Sequence, residues 1–170
     1  MSGFTHEPPA GGKPDWYTPK YIFDALGCEF DLDPCHPQKR LDWIPVKNVI
    51  SLPQDGLAAD WKGRVWLNPP YGKETPYWLQ RLAQHGNGIA LVFSRTDTEW
   101  FHDAIANAHA LLFLDTRVRF IDSDTMERGG SPGCGSVLIA WGGPCAEILS
   151  TADLGTFVRL KSSVAPWLVK

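Results

Sequence analysis

Residues 88–94 read Gly-Ile-Ala-Leu-Val-Phe-Ser, a continuous apolar segment with a polar residue at either side. Such a segment is typical of a strand that is buried on both faces of a parallel sheet. Before it, residues 76–85 place large apolar side chains on one helical face. After it, residues 97–107 show the same helical spacing, with Asp97 as the predicted N-cap. A buried strand between two amphipathic helices indicates an α/β domain.

The alternation of strand and helix continues toward both ends of the chain. Thr18 is the predicted cap of a first helix, with Pro19 at its first position and Gly27 at its end. Residues 122–135 are predicted to form an exposed loop, and a short helix is predicted within residues 152–160. Further strands are predicted at residues 30–34, 46–52, 65–67, 110–114 and 136–141. We therefore predict an α/β fold with a mainly parallel sheet and helices on both faces.

Length and charge limit the class of protein. The chain has 170 residues, with 16 basic and 19 acidic side chains and a formal net charge of −3. These values predict one domain over residues 15–170, preceded by a flexible arm over residues 1–14 that is rich in Gly and Pro. A generally basic coat for nucleic acid is excluded, whereas a local basic patch is not. No apolar run approaches the roughly 20 residues that cross a bilayer, so we expect no membrane partner.

The cysteines and the first residues of the chain indicate the cellular compartment of the protein. The four cysteines lack the spacing of a zinc site, and no secretory signal is visible, so we expect reduced thiols and no metal. These features predict a cytoplasmic protein. The oligomeric state stays open.

The motif with the clearest chemistry is Asn68-Pro69-Pro70-Tyr71, which directly follows the strand at residues 65–67. It could be only a rigid turn, because two prolines stop a strand. In the functional interpretation, the Asn68 side chain and the Pro69 carbonyl accept hydrogen bonds. Tyr71 offers a flat face on which a base can stack, worth about 1–3 kcal/mol.

Two carbonyl acceptors beside an aromatic face suit a planar exocyclic amine such as the N-6 amine of adenine. If both amine hydrogens are accepted, the nitrogen becomes more pyramidal and its developing positive charge is stabilised without a strong base. The tetrapeptide therefore predicts a site that makes such an amine a nucleophile.

The tetrapeptide belongs to an ordered series of matches between about residue 15 and residue 141. The series contains Trp16-Tyr17-Thr18-Pro19, Phe30-Asp31-Leu32-Asp33-Pro34, Asp55-Gly56-Leu57, Asp60-Trp61, Asn68-Pro69-Pro70-Tyr71, Trp78, Arg95-Thr96-Asp97-Thr98, Trp100-Phe101-His102 and Arg117 through Phe120. With this series, the chain resembles the phage-type DNA N-6-adenine methyltransferases, often called the Dam family. The resemblance implies transfer of a methyl group from S-adenosylmethionine to the N-6 amine of adenine in DNA. It also implies a reduced Rossmann-like methyltransferase fold, an enzyme encoded by a phage or prophage, and the cytoplasm of a bacterial host.

The resemblance assigns roles to individual residues. Asn68 to Tyr71 match the catalytic tetrapeptide, and Thr18-Pro19 match the segment near the methionine end of the donor. Asp33-Pro34 match the acidic strand end that faces the donor, and Asp55 matches the position that receives the adenine amine of the donor.

The residues alone leave other roles open for these donor-binding positions. Thr18-Pro19 could only start a helix, Asp33 could cap the following turn, and Asp55 could only begin a turn. The five histidines have neither triad context nor ligand spacing, so no role is predicted for them.

DNA contacts have to come from loops, because 170 residues leave no room for a separate recognition domain. Candidate readout segments are residues 72–76 and 122–135. Candidate cations for DNA phosphates are Lys73, Arg95, Arg117 and Arg119, with Lys62, Arg64 and Arg128 in a wider basic surface. Arg95 could instead pair with Asp97 or Glu99 at the surface.

Two alternatives stay open. The same tetrapeptide could hold another base or a glutamine side-chain amide, which would make the chain a methyltransferase for another amine or amide. Alternatively, the chain could be a degenerate phage protein that binds DNA without methylating it. The second alternative draws on residues 34–37, which replace the usual glycine-rich turn after Asp33.

Overall fold

The computed structural model describes residues 15–160, so the arm predicted over residues 1–14 lies outside the described residues. In chain order the elements are β1 (Trp16–Tyr17), α1 (Lys20–Leu26), β2 (Phe30–Asp33), β3 (Val46–Val49), β4 (Val65–Leu67), α2 (Thr75–His85), β5 (Gly88–Phe93), α3 (Glu99–Ala106), β6 (Ala110–Leu114), β7 (Ile121–Asp122), β8 (Ser136–Trp141), α4 (Gly143–Thr151) and β9 (Gly155–Arg159). The predicted α/β class is confirmed.

A seven-stranded sheet has the strand order β3-β2-β4-β5-β8-β6-β9. The pairs from β3 to β5 are parallel, whereas β8 pairs antiparallel with both β5 and β6, and β9 pairs antiparallel with β6. The sheet is therefore parallel in one half and antiparallel in the other. The apolar β5 is buried as expected, with a parallel neighbour at one edge and an antiparallel one at the other.

Two apolar layers cover the two faces of the sheet. The layer with α1 and α4 includes Phe23 and Leu149, and the layer with α2 and α3 includes Leu82 and Phe101. Alternate residues of the central strands enter opposite layers, as Trp66 of β4 does relative to its neighbours. Helices on both faces of the sheet are thus confirmed.

Two predicted helix caps are wrong by one position. Pro19 is the N-cap of α1 because its φ of −62° and ψ of 146° are extended, so Thr18 lies outside the helix. Thr98, also extended, is the N-cap of α3 in place of Asp97. Gly27 ends α1 with a φ of 59°, the left-handed conformation that glycine adopts most easily.

The helix predicted within residues 152–160 is wrong. Those residues contain β9, which pairs with β6, while the preceding residues form α4. Phe157 and Val158 favour a strand, and Gly155 has a φ of 150°. The sequence analysis does not predict α4, because Pro144 at its start usually signals the end of regular structure. Proline is nevertheless well tolerated in the first turn of a helix.

The loop predicted at residues 122–135 has little regular structure, as expected. Its first residue belongs to β7, which pairs antiparallel with β1 in a separate two-stranded sheet. An isolated bridge joins Ile121 to Arg128. We call residues 117–132 the loop hairpin.

Within residues 15–160, no helix has the length and hydropathy needed to cross a membrane.

Candidate active site

The cavity beside the tetrapeptide, called the main cavity below, lies at the carboxyl ends of β2, β3 and β4 and has a volume of about 540 Å³. The chain passes from β2 to β3 on one side and then to β4 on the other, and open α/β sheets bind ligands where the strand order reverses in this way. Its walls are Asp15, Trp16, residues 34–38, residues 50–57, residues 68–71, Glu74 and Trp78. The cavity thus brings together the tetrapeptide, Pro34 and Asp55.

Asn68 has a fixed side chain with one unused acceptor. Its Nδ2 donates to the Trp16 carbonyl at 3.1 Å, and its Oδ1 is buried without a hydrogen-bond partner among residues 15–160. Its main-chain carbonyl accepts from the Cys35 thiol at 3.2 Å. An unpaired buried acceptor is costly, so Oδ1 is suited to a ligand that donates a hydrogen bond.

The two prolines stop β4 and turn the chain along the cavity wall. Pro69 is buried in that wall. The Thr75 hydroxyl donates to the Pro70 carbonyl at 2.8 Å and accepts from the Gly72 N–H at 3.0 Å, which fixes the turn after the tetrapeptide.

Tyr71 is held by aromatic neighbours. Its ring stacks on Phe93 with a centroid distance of 4.5 Å and meets Phe120 edge to face at 6.0 Å. Its hydroxyl donates to the Leu91 carbonyl at 3.1 Å. Burial raises the pKa of Tyr71, so the phenol stays neutral. One ring face is occupied by Phe93, so a stacking base has to use the other.

Asp33 lies next to Pro34 and Cys35 of the main cavity wall but does not line that cavity itself. Its Oδ2 lies 2.7 Å from His36 Nδ1, and its Oδ1 accepts from the Cys35 N–H at 3.1 Å. The carboxylate is buried, and both oxygens already have partners. Sequence reasoning missed His36, although its place three residues after the end of a strand was a usable signal.

Thr18 lies apart from the main cavity wall, in a small second cavity. The hydroxyl is buried without a partner among the described residues, while the Thr18 carbonyl accepts from the Trp43 indole N–H at 3.2 Å. The second cavity has a volume of about 10 Å³ and is also lined by Asp33, His36 and Asn68. Pro19 caps α1 and lines neither of these cavities.

Asp55 forms the turn that the residues alone suggested, and it also reaches the main cavity. Its Oδ1 accepts from the N–H groups of Leu57 and Ala58 at 2.9 and 3.3 Å. The turn role and the wall position are compatible, because these bonds use one carboxylate oxygen.

Gly56 has no room for a side chain. A Cβ atom there would lie 1.8 Å from the Pro34 carbonyl oxygen and 2.9 Å from Trp78 Cη2. We expect Gly56→Ala to lower the free energy of unfolding by about 1–3 kcal/mol, because backbone has to move to make room. Urea unfolding measures this loss. Gly143→Ala is the control, since a Cβ there meets no atom of residues 15–160 within 4 Å. Equal stability of the two variants would contradict the crowding at Gly56.

Arg117 and Arg119 hold the loop hairpin together. Arg117 Nη1 donates to the Pro132 carbonyl at 2.9 Å, and Arg119 Nε donates to the Gly129 carbonyl at 3.0 Å. These bonds leave other guanidinium N–H groups for an anion. Both residues therefore shape the loop, and their predicted contact with DNA stays a prediction.

Lys73 and Arg95 differ in their surroundings. Lys73 is exposed, two residues beyond Tyr71. Arg95 Nε lies 3.6 Å from an Asp97 carboxylate oxygen, so the surface pair considered for Arg95 is present. Such a pair contributes little to stability and leaves Arg95 available to a phosphate.

Trp16 links the loop hairpin to Asn68, and sequence reasoning missed this role. Trp16 pairs with Asp122 in the two-stranded sheet, while its carbonyl accepts from Asn68 Nδ2. Gly129 lies against its ring: a Cβ at Gly129 would be 2.7 Å from Trp16 Cζ3. The position of the loop hairpin is thereby connected to that of the Asn68 side chain.

Comparisons with known proteins show the family of the chain. The sequence profile described as DNA N-6-adenine-methyltransferase (Dam) matches residues 7–159. A DNA N-6-adenine-methyltransferase of Haemophilus phage HP1 (strain HP1c1) is 32% identical over 122 residues, which cover 66% of this chain and 69% of the relative. No solved structure matches. The chain belongs to the DNA N-6-adenine-methyltransferase (Dam) family.

Proposed function

We propose that this protein transfers the methyl group of S-adenosylmethionine to the N-6 amine of adenine in DNA, at the main cavity. Family membership supports this reaction. The observation that carries the proposal for this site is the Asn68 side chain. Its Nδ2 donates to the Trp16 carbonyl, and its Oδ1, which has no hydrogen-bond partner in the described part of the chain, lies beside a cavity where the strand order reverses.

The tetrapeptide would hold the target adenine in place and stabilise the positive charge that develops on its amine. The target adenine leaves the base stack, at a cost of a few kcal/mol. Tyr71 stacks on it through the ring face opposite Phe93. Asn68 Oδ1 and the Pro69 carbonyl accept the two amine hydrogens and stabilise the positive charge that develops on nitrogen. After methylation, the amine loses one proton to water.

Residues that line the two cavities also fit the methyl donor. When bound, S-adenosylmethionine supplies an electrophilic methyl group on its sulfonium. Pro34 and Asp55 line the main cavity, whose volume is in the usual range for ligands of drug size. Thr18 and Asp33 line the adjoining small cavity, and Pro19 is the N-cap of α1.

The fold supports a further proposal about architecture. We assign the chain a reduced Rossmann-like methyltransferase fold, in a single domain over residues 15–170. The reversal of strand order at β2 supports this assignment, as do the helix layers on both faces. The relative from a phage supports a phage or prophage origin for this protein. A reaction on DNA supports the cytoplasm of the host as the compartment in which the protein acts.

DNA contacts are proposed for Lys73, Arg95, Arg117 and Arg119. Lys73 is exposed just beyond the tetrapeptide, and the two arginines of the loop hairpin lie in a segment that packs on Trp16. The loop hairpin is therefore a candidate for reading the target sequence.

Methyl transfer to a panel of acceptors tests the proposal. The protein is incubated with labelled S-adenosylmethionine and with DNA, RNA, free nucleotides or a glutamine-containing peptide. We expect label in DNA alone, on the N-6 amine of adenine. Label in the peptide or in another base would favour the alternative methyltransferase. Binding of DNA without any label transfer would favour the degenerate DNA-binding protein.

A further inference from the structure

The main chain of the tetrapeptide has few donors with which to fix its own position. Pro69 and Pro70 carry no N–H, so the peptide units that end at them can be held only through carbonyl groups. The Pro70 carbonyl accepts from the Thr75 hydroxyl at 2.8 Å. The Asn68 carbonyl accepts from the Cys35 thiol at 3.2 Å. The Pro69 carbonyl, proposed above as an acceptor for the amine of the target adenine, therefore lies between two carbonyls that are held.

Cys35 is itself held at the end of β2. Its main-chain N–H donates to Asp33 Oδ1 at 3.1 Å, and the other oxygen of that carboxylate lies 2.7 Å from His36 Nδ1. Because β2 and β4 are neighbouring parallel strands, the residues that follow their carboxyl ends lie at the same edge of the sheet. The Cys35 thiol thus joins the turn after β2 to the tetrapeptide after β4.

The chemistry of the Cys35 thiol suits a hydrogen-bond donor and not a nucleophile. Burial raises the pKa of Cys35 well above its ordinary value, so the thiol keeps its hydrogen. Nucleophilic cysteines react as thiolates, which a raised pKa disfavours. A protonated thiol can still donate a weak hydrogen bond to a carbonyl oxygen.

We propose that Cys35 is a positioning residue for methyl transfer, whose thiol holds the Asn68 carbonyl and thereby sets the orientation of the Pro69 carbonyl. The proline rings fix φ at Pro69 and Pro70, so the segment can turn only by rotation about ψ. With the carbonyls on both sides held, such a rotation at Pro69 would strain or break one of the two hydrogen bonds. The inference rests on the proposed function, because it concerns the acceptors of that reaction.

Two substitutions at Cys35 test the role of the thiol. Steady-state methylation of DNA gives kcat and the KM values for donor and DNA. We expect Cys35→Ala to lower kcat about three- to tenfold, the usual range for one neutral hydrogen bond, with both KM values unchanged. Cys35→Ser keeps a donor at this position and should recover most of the lost kcat. Cys28→Ala is the matched control, since Cys28 is also half-buried but lines neither the main nor the small cavity, and it should have the wild-type kcat.

Three results would overturn the positioning role. If Cys35→Ala kept the wild-type kcat, or raised only the KM for the donor, Cys35 would do no more than line the main cavity. If Cys35→Ser lost as much kcat as Cys35→Ala, the loss would not depend on a donated hydrogen bond. Each kcat is referred to the folded fraction of the variant, measured by circular dichroism, so that a loss of stability is not counted.

These results would leave the proposed function intact, because the wild type would still methylate DNA. A wild type that transferred no methyl group to DNA would contradict the proposed function and this inference together.

Discussion

Replacing Asn68 by alanine should lower the rate of adenine methylation by about 10²–10³-fold, the usual loss when one preorganised polar group at a reacting centre is removed. The variant loses Oδ1, the acceptor proposed for the amine of the target base. Single-turnover methylation of DNA at saturating donor measures this loss. Donor affinity should fall by no more than about tenfold, since the other residues of the main cavity wall are unchanged.

Asn48→Ala is the matched control, because Asn48 is exposed on β3 and donates to the Asp31 carbonyl. It should methylate DNA at the wild-type rate. If Asn68→Ala kept full activity, the tetrapeptide would have no catalytic role, and the explanation of the site would have to change.

Replacing Gly129 by alanine should reduce methylation by about tenfold to 10²-fold, because it displaces Trp16, whose carbonyl holds Asn68. A Cβ there would lie 2.7 and 3.1 Å from the Trp16 ring and 3.3 Å from the Phe120 carbonyl oxygen. The Trp16 ring has to move, and the carbonyl that holds Asn68 Nδ2 moves with it. A misplacement of about 1 Å at a reacting centre can cost about 10²-fold in rate.

Gly130→Ala is the control, since a Cβ there has no neighbour within 4 Å among the described residues. It should retain wild-type activity. The pathway through Asn68 is tested in the Asn68→Ala background, where Gly129→Ala should cause little further loss. A full additional loss in that background would show that Gly129 acts by another route, such as contact of the loop hairpin with DNA.

Local patterns were enough to predict most of the scaffold and the position of the tetrapeptide. The apolar β5 and the short β4 before Asn68 are where the sequence places them, because each is a compact apolar run with a clear end. The C-terminal region was misassigned because the pairing of β9 with β6 joins distant residues. The sequence of a short segment that begins with Gly155 does not reveal which distant strand it pairs with.

The parts of the candidate site that were missed depend on contacts between distant residues. Trp16 supports Asn68 across 52 positions of sequence, and no local spacing reveals such a hydrogen bond. Thr18 Oγ1, His36 Nε2 and Asn68 Oδ1 come from three separate segments of the chain, and all three are buried without a hydrogen-bond partner among residues 15–160. Arg117 and Arg119 are of a residue type that binds phosphates, yet their hydrogen bonds also fix the loop hairpin.

Mass spectrometry of nucleosides from DNA incubated with the protein and S-adenosylmethionine tests the central claim most directly. We predict N-6-methyladenine with the wild type and its near absence with Asn68→Ala. A methyl group on cytosine, or equal yields of N-6-methyladenine from both proteins, would contradict the proposal that Asn68 activates the adenine amine in this cavity.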